Sequence, residues 1–327
     1  MGYASAWRAL LVIVQVIDID GVQTFKTEGD APVAGWVSIL TVYGNNGKQY
    51  MFYFCSFQSI KDVAAYSLFP AGVDCLPPTP YIRPMKFPDP LIRGRLIRRY
   101  KRFLADVELE DGPKAGEVVT AHCANPGSML SVNEPGSEVW LSQARNPERK
   151  LKFTWELIRV GSSLVGINTQ LPNAIVAEAV EAGMFPELGG YPSLRREVKY
   201  GENSRIDLLL EKDGPGEGDK CYVEVKNVTM KRYLAKDAPA EFPDAVTARG
   251  TKHLVELATM VGLGHRAVMF YLVQRQDAKS FAIAADIDPV YAKGLAAARK
   301  AGVEVLCYGC KLSKSEIRID SLLPLAF

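Results

Sequence analysis

The chain predicts a multi-domain α+β protein: a small β-barrel followed by an α/β domain. Three patterns carry that prediction. Short β-prone runs crowd residues 103–160. From residue 163 onward, strand-like runs alternate with amphipathic helical stretches. Within that second part, two apolar runs joined by a glycine-rich turn span residues 205–226. At 327 residues the chain is long enough for two domains, and 48% hydrophobic residues suffice for packed cores.

The first 84 residues stand apart. They hold 11 Asp, Glu, Lys and Arg residues, against 65 in the remaining 243. Their apolar runs (residues 11–17, 36–43 and 50–54) are β-prone, and the Asn45-Asn46-Gly47 between two of them signals a hairpin. The run at 7–17 is too short to span a bilayer, is followed at once by Asp18 and Asp20, and lacks a clean cleavage pattern, so neither a membrane partner nor a signal peptide is expected. Pro77-Pro-Thr-Pro80 and Pro84 read as linker, with Met85 next. The functional protein is therefore expected to begin at Met85. Residues 1–84 read as an apolar extension that need not belong to it.

Six of the ten residues from Arg93 to Arg102 are basic: Arg93, Arg95, Arg98, Arg99, Lys101 and Arg102, with Tyr100 among them and Phe103 just beyond. Two readings stand. A strand edge can carry basic residues to discourage aggregation. The same strip can track phosphates, with its aromatics free to stack on bases. The absence of acidic residues inside the strip tips the expectation toward nucleic acid.

Residues 85–163 are expected to form the barrel. Runs at 103–109, 117–123, 138–141 and 153–160 follow one another with short turns, and about five strands in this length suggest an OB-like barrel, a frequent nucleic-acid host. Asn125-Pro-Gly-Ser128 and Asn133-Glu-Pro-Gly-Ser137 would be rim loops or ordinary turns.

Residues 164–327 are expected to form the α/β domain. Pro172–Gly183 reads as a helix, with Asn173 as N-cap and Gly183 just past its end. Strands are expected at 194–199, 205–211 and 222–226, a long helix at 244–261, a buried strand at 267–273, a helix at 289–301 and a strand at 303–308. Helix, three strands, helix, strand is the core order of a restriction-endonuclease-like domain.

The chemistry is expected on the paired runs. Tyr222, Glu224 and Lys226 alternate onto one face, and strand pairing can set Asp207 beside Glu224. Asp207 lies within an apolar run, where a carboxylate is costly without a partner. Asp207 and Glu224 could hold Mg2+ or Mn2+, with Lys226 stabilising charge on a phosphate. Glu178, Glu181, Glu197 and Lys199 are further candidates for that face. Arg249 and His253, four apart, share a helix face, where Arg249 could hold a phosphate or pair structurally.

Other signals are discounted. Cys307-Tyr-Gly-Cys310 has no second ligand pair, and a structural zinc site needs four ligands. The three histidines show no catalytic or metal spacing, and Gly214-Pro-Gly-Glu-Gly lacks the Lys-Ser/Thr of a phosphate loop. The six cysteines, without scaffold spacing, read as reduced thiols of a cytoplasmic protein. With a net charge of only +2, nucleic-acid affinity must come from local patches.

Longer motifs carry a family resemblance. They are Leu91-Ile-Arg-Gly-Arg-Leu, Ala121-His-Cys, Asn125 with Gly127-Ser-Met129, Glu134-Pro-Gly-Ser-Glu-Val-Trp140, Arg195-Arg-Glu-Val-Lys-Tyr-Gly-Glu-Asn-Ser-Arg-Ile-Asp207, Val223-Glu-Val-Lys-Asn-Val228, and Phe242-Pro-Asp-Ala-Val-Thr247 with Arg249-Gly250. From about residue 85 to the end, the chain resembles the sugar fermentation stimulation protein A family. The resemblance implies an OB-like N-terminal domain and a PD-(D/E)xK nuclease-like C-terminal domain. It also implies DNA binding of low sequence specificity. Asp207, Glu224 and Lys226 match the nuclease signature, although Ser204-Arg-Ile stands before Asp207 where the signature has Pro. Two functions follow: a Mg2+- or Mn2+-dependent DNA nuclease, or a non-catalytic DNA-binding regulator of sugar (maltose) metabolism.

Overall fold

The computed structural model describes the strands within residues 15–55 as backbone, and residues 84–212, 219–233, 235 and 237–327 in full. The chain divides into two compact units, Met1–Pro78 and Thr79–Phe327. In the first, β1 (Gln15–Ile19) pairs antiparallel with β2 (Val22–Lys26), and β3 (Val37–Tyr43) with β4 (Gln49–Cys55). The β3–β4 pair encloses the Asn-Asn-Gly stretch. The proline-rich stretch 77–83 lies outside the described residues.

The second unit opens with a two-residue strand, β5 (Met85–Lys86), then builds a barrel. Its strands are β6 (Ile92–Tyr100), β7 (Leu104–Leu109), β8 (Val118–His122), β9 (Glu138–Gln143) and β10 (Phe153–Val160), with β11 (Ser163–Gly166) added beside β10. The ring runs β6-β7-β8-β10-β9 and back to β6, with only β8–β10 parallel. This is a closed five-stranded OB barrel. Leu96, Val107, Leu141, Trp155 and Ile158 fill it. Gly94 is required where β6 turns between its two neighbours, because a Cβ there would come within 2.5 Å of Val107 Cγ1 and 2.7 Å of the Glu108 carbonyl oxygen.

The remaining elements are α1 (Pro172–Glu181), β12 (Ser193–Tyr200), β13 (Ser204–Glu211), β14 (Lys220–Val228), β15 (Ala240–Phe242), α2 (Ala248–Gly262), β16 (Arg266–Val273), β17 (Phe281–Ile283), α3 (Pro289–Lys300), β18 (Glu304–Leu312) and β19 (Glu316–Leu322). A seven-stranded mixed sheet orders them β12-β13-β14-β16-β18-β19-β5. Its centre, β14-β16-β18, is parallel, and β16 is apolar along almost its whole length because helices cover both faces. One face packs on α1 together with Trp140 and Leu157 of the barrel. The other packs on α2 and α3.

The expected order of helix, three strands, helix and strand is present. Sequence reading missed β19, β5 and the short parallel pair β15–β17. Met85 pairs with Ile317, so the chain lays an edge strand on the α/β sheet before it builds the barrel. Barrel and sheet are also joined by backbone. Gly166 N–H donates to the Gln274 carbonyl at 2.9 Å, and a Cβ on Gly166 would come within 2.5 Å of the Gln274 side chain. The capping expectation for α1 is corrected. Leu171 occupies the N-cap with no side-chain bond, because Pro172 already sits in the first turn. Gly183 does follow the helix with φ +69°.

A candidate metal and phosphate site on the central sheet

β13 and β14 pair from Glu211↔Lys220 to Leu208↔Val223. One rung further on, Asp207 stands opposite Glu224. There the backbone ladder gives way to a side chain: Asp207 Oδ2 accepts from the Val225 N–H at 2.7 Å, while Oδ1 accepts from Asn173 Nδ2 at 2.6 Å. Asn173 thus reaches the sheet from α1 instead of capping it. Burial, and then the charge of Glu224, push the Asp207 carboxyl up to about 6.

Glu224 is 2% exposed. Burial pushes its pKa up, but the hydrogen bond from His253 and the charge and hydrogen bond of Lys226 outweigh it and hold the carboxyl below its ordinary value. Lys226 Nζ donates to Glu224 Oε1 at 2.6 Å, and His253 Nδ1 lies against the same oxygen. Glu224 Oε2 is buried and has no hydrogen-bond partner among the described residues. Tyr200, at the end of β12, faces the same carboxylates. Its hydroxyl is buried without a partner, and burial and then the charges of Glu224, Glu256 and Asp207 raise its pKa.

The structure brings Asp207, Glu224 and Lys226 together. Arg249 reaches the group through His253, with Nε 3.4 Å from His253 Nε2. Glu178 and Glu181 are exposed on α1 and make no contact with it. Lys199 is exposed as well. Glu197 has φ +54° and stands level with Asp207 in the unbroken β12–β13 register, and its Oε1 lies 3.3 Å from Asn173 Nδ2, so it touches the edge of the site through that amide. Among the described residues, no group of three or more His, Cys, Asp or Glu side chains forms a metal cluster. Sequence reading put His253 on one helix face with Arg249 but gave it no role, although it sits on the buried stripe of α2 with Gly250, Leu254 and Leu257. A polar side chain on an apolar stripe needs a partner. Cys307 and Cys310 are buried in opposite cores, which rules out a shared metal for them.

The basic strip lies on β6 and its following turn, and much of it is neutralised. Arg93 pairs with Glu110 at 3.3 Å and with Glu138 at 3.6 Å; Arg95 pairs with Glu110 at 2.7 Å. Arg98 pairs with Asp106 at 2.9 Å and lies over the Tyr100 ring, whose hydroxyl donates to the same aspartate. Arg99 donates to the carbonyls of Arg102, Asn125 and Gly127, and Arg102 Nε donates to that of Pro126. Lys101 has no partner among the described residues, and it and Arg102 both have positive φ at the tip of the turn. The rim loop held by these arginines docks below on Asp244, which accepts from the Met129 N–H at 2.8 Å. Three residues on, Thr247 caps α2, the helix that carries Arg249 and His253. Hydrogen bonds from the turn to Asp244, and then three residues of chain to the Thr247 cap, thus link the Lys101–Arg102 turn to the helix over the carboxylates.

An OB barrel joined to a mixed α/β domain with a buried Asp-Glu-Lys group defines a class of two-domain protein. Known domain families fit both halves: the SfsA N-terminal OB domain matches residues 97–167, and the sugar fermentation stimulation protein RE domain matches residues 170–316. The chain belongs to the sugar fermentation stimulation protein family. It is 60% identical over 246 residues to the sugar fermentation stimulation protein homolog of Rhodospirillum rubrum, covering 74% of this chain and 99% of that one. It is 51% identical to the homolog of Ruegeria pomeroyi over 240 residues, 73% of this chain and all of the relative. Among solved structures, Pyrococcus furiosus SfsA, in complex with Ca2+, shares the fold with a TM-score of 0.65 at 24% identity, covering 74% of this chain and 98% of that chain. No helix among the described residues is long and apolar enough to cross a membrane.

Proposed function

We propose that this protein binds DNA with little sequence preference and hydrolyses phosphodiester bonds with Mg2+ or Mn2+ on a PD-(D/E)xK nuclease-like domain. The observation that carries the reading is a carboxylate pair, Glu224 buried and Asp207 half-buried, with an open valence on Glu224. Asp207 is forced up to about 6 by burial and by the Glu224 charge, and Glu224 Oε2 has no partner. Two such carboxylates repel until one takes up a proton or a cation comes between them. Oxygen-only donors suit Mg2+ or Mn2+, which complete their coordination with water. The Ca2+ complex of the Pyrococcus furiosus protein supports a divalent ion in this family.

In this reading Asp207 and Glu224 hold the ion, and a bound ion would polarise a phosphate oxygen and acidify its own water. The protein's own groups do the rest. Asn173 and the Val225 N–H fix the Asp207 carboxylate. Lys226 spends one N–H on Glu224, which leaves two donors to stabilise charge developing on a phosphate. The barrel turn at Lys101 and Arg102 would hold the strand's phosphates, placing the protein with DNA in the cytoplasm. The four cysteines among the described residues are free thiols, as that compartment allows.

The test has two arms: calorimetric titration of the full chain with Mn2+, and incubation of supercoiled, linear and single-stranded DNA with Mg2+ or Mn2+. Saturable binding that Asp207→Ala abolishes, together with cleavage of any of these substrates, is the expected result. Metal binding without cleavage of any substrate leaves the second reading, a regulator that keeps the fold and the ion without turnover. Absence of metal binding in the wild type removes both the ion and the nuclease reading.

A further inference from the structure

Arg249, His253, Glu224 and Lys226 form one hydrogen-bonded group, and the directions of its contacts point to one arrangement of protons. A guanidinium can only donate. Arg249 Nε lies 3.4 Å from His253 Nε2, with the N–H directed at that nitrogen, so Nε2 must present its lone pair. The ring is therefore neutral, and its one proton is on Nδ1. That nitrogen lies against Glu224 Oε1, where an N–H is needed to meet the carboxylate. Lys226 Nζ is 3.3 Å from Nδ1, but both are donors. They are neighbours because each is bonded to the same carboxylate oxygen. Two donors thus converge on Oε1, and none reaches the buried Oε2.

We propose that Arg249 and His253 are positioning residues for Glu224: the guanidinium fixes the Nδ1–H form of the imidazole, and that N–H holds the carboxylate with Oε2 free for a divalent cation. The cation clause rests on the function proposed above; the tautomer does not. The arm is built into the helix, because Arg249 and His253 are one turn apart on the same face of α2. It is also held still, because His253 is 4% exposed on the buried stripe between Gly250 and Leu257. The opposite tautomer would turn a lone pair toward an ionised Glu224 and repel it. Hydrogen-bonded partners of metal ligands of this kind typically contribute about 10–100-fold in metal affinity.

The experiment combines two readouts on the full chain. With 15N-labelled histidine, long-range 1H–15N spectra of the metal-free protein report which ring nitrogen of His253 is protonated, with His253→Asn identifying its signals. The expected result is protonation at Nδ1 alone, giving way to a mixed population in Arg249→Met. Arg249 is itself exposed, so that substitution leaves the core intact. Calorimetry with Mn2+ then compares His253→Asn, whose amide donor falls near the Nδ1 position, with His253→Gln, whose donor falls near Nε2. His253→Gln is expected to lose roughly 10–100-fold in affinity, and His253→Asn to recover most of it. A wild-type ring protonated at Nε2 or doubly protonated overturns the arm, and so does an unchanged tautomer in Arg249→Met. Equal affinity in the Asn and Gln variants overturns the link to Glu224. If wild-type protein binds no Mn2+, the proposed function fails, while the spectra still decide the arm.

Discussion

The β6 strip of the barrel and the Asp207–Glu224 group of the sheet are both charged, and the fold uses their charge differently. On β6, the guanidiniums of Arg93, Arg95 and Arg98 face Glu110, Glu138 and Asp106 within 3.6 Å, and those of Arg99 and Arg102 face backbone carbonyls. Arg93 Nε and Glu110 Oε2 make no hydrogen bond but still face each other at 3.3 Å, and Arg99 Nε has no hydrogen-bond partner among the described residues. On the sheet, a carboxylate oxygen of Glu224 and the Tyr200 hydroxyl are buried with no hydrogen-bond partner among the described residues. A satisfied charge is structure. An unsatisfied buried polar atom calls for a ligand, because leaving it so costs roughly 1–3 kcal/mol. Density of charge along the sequence therefore pointed most strongly to the region where the fold uses it up.

The strongest way to break this contrast is to remove the two carboxylates of the site. Asp207→Ala and Glu224→Ala should each abolish Mn2+ binding in calorimetry and all cleavage with it. Lys226→Ala should keep the ion but reduce the cleavage rate by about 10²–10³-fold, the range for loss of one donor to a developing charge. Undiminished Mn2+ binding in both carboxylate variants would show that the open valence is not a ligand site.

Next in size is the cost of the site without metal. The folded protein holds the Asp207 proton up to about pH 6, whereas the ordinary value is 3.8. Between these values the folded state binds more protons than the unfolded chain, so stability falls as pH rises through that window. The gap corresponds to roughly 3 kcal/mol at most. In metal-free protein, Asp207→Asn should flatten this fall, and Mn2+ should offset it in the wild type alone. Chemical denaturation at pH 4, 5, 6 and 7, with both proteins, measures it. Parallel curves for the two proteins would place the Asp207 carboxyl at its ordinary value.

The barrel was legible because five alternating β-runs with turn residues between them leave few alternatives, and the α/β order was legible from changes in hydrophobic period. The edge strand β5 was not, since two residues at Met85–Lys86 carry no pattern and their partner lies more than 200 residues away on β19. Asp207, Glu224 and Lys226 were legible from alternation and from a carboxylate set among leucines. His253 and Tyr200 were not, because their role depends on α2 and β12 crossing the same face of the sheet. Asn173 was misread as a cap because local rules favour Asn there, whereas the tertiary contact with Asp207 decides its place.

Smaller effects separate the parts of the strip itself. The tip of the β6–β7 turn is the part whose charge is least consumed: Lys101 is exposed without a partner, and Arg102 meets only a carbonyl at 3.1 Å. Lys101→Ala with Arg102→Ala should weaken binding to all DNA sequences alike and lower the salt slope by roughly one unit per lost phosphate contact. Unchanged affinity and slope would leave the turn as a strand connection only.

The smallest expected effect is on the strand body. Arg93, Arg95 and Arg159 share Glu110 and Glu138, so much of their charge is cancelled before any phosphate arrives. A phosphate that recruited Arg93 or Arg95 would have to displace a carboxylate already in place, and exposed pairs of this kind are worth only about 0–1 kcal/mol in either direction. Arg93→Gln with Arg95→Gln should therefore shift the salt slope of DNA binding by clearly less than the double substitution at the turn. Thermal unfolding should move only slightly, because Arg159 still meets Glu138 at 2.5 Å. Fluorescence anisotropy with one labelled duplex at three salt concentrations, on the two double variants side by side, decides it. A slope change at Arg93 and Arg95 equal to or larger than that at Lys101 and Arg102 would mean that these ion pairs open on binding, and that the strip works along its whole length.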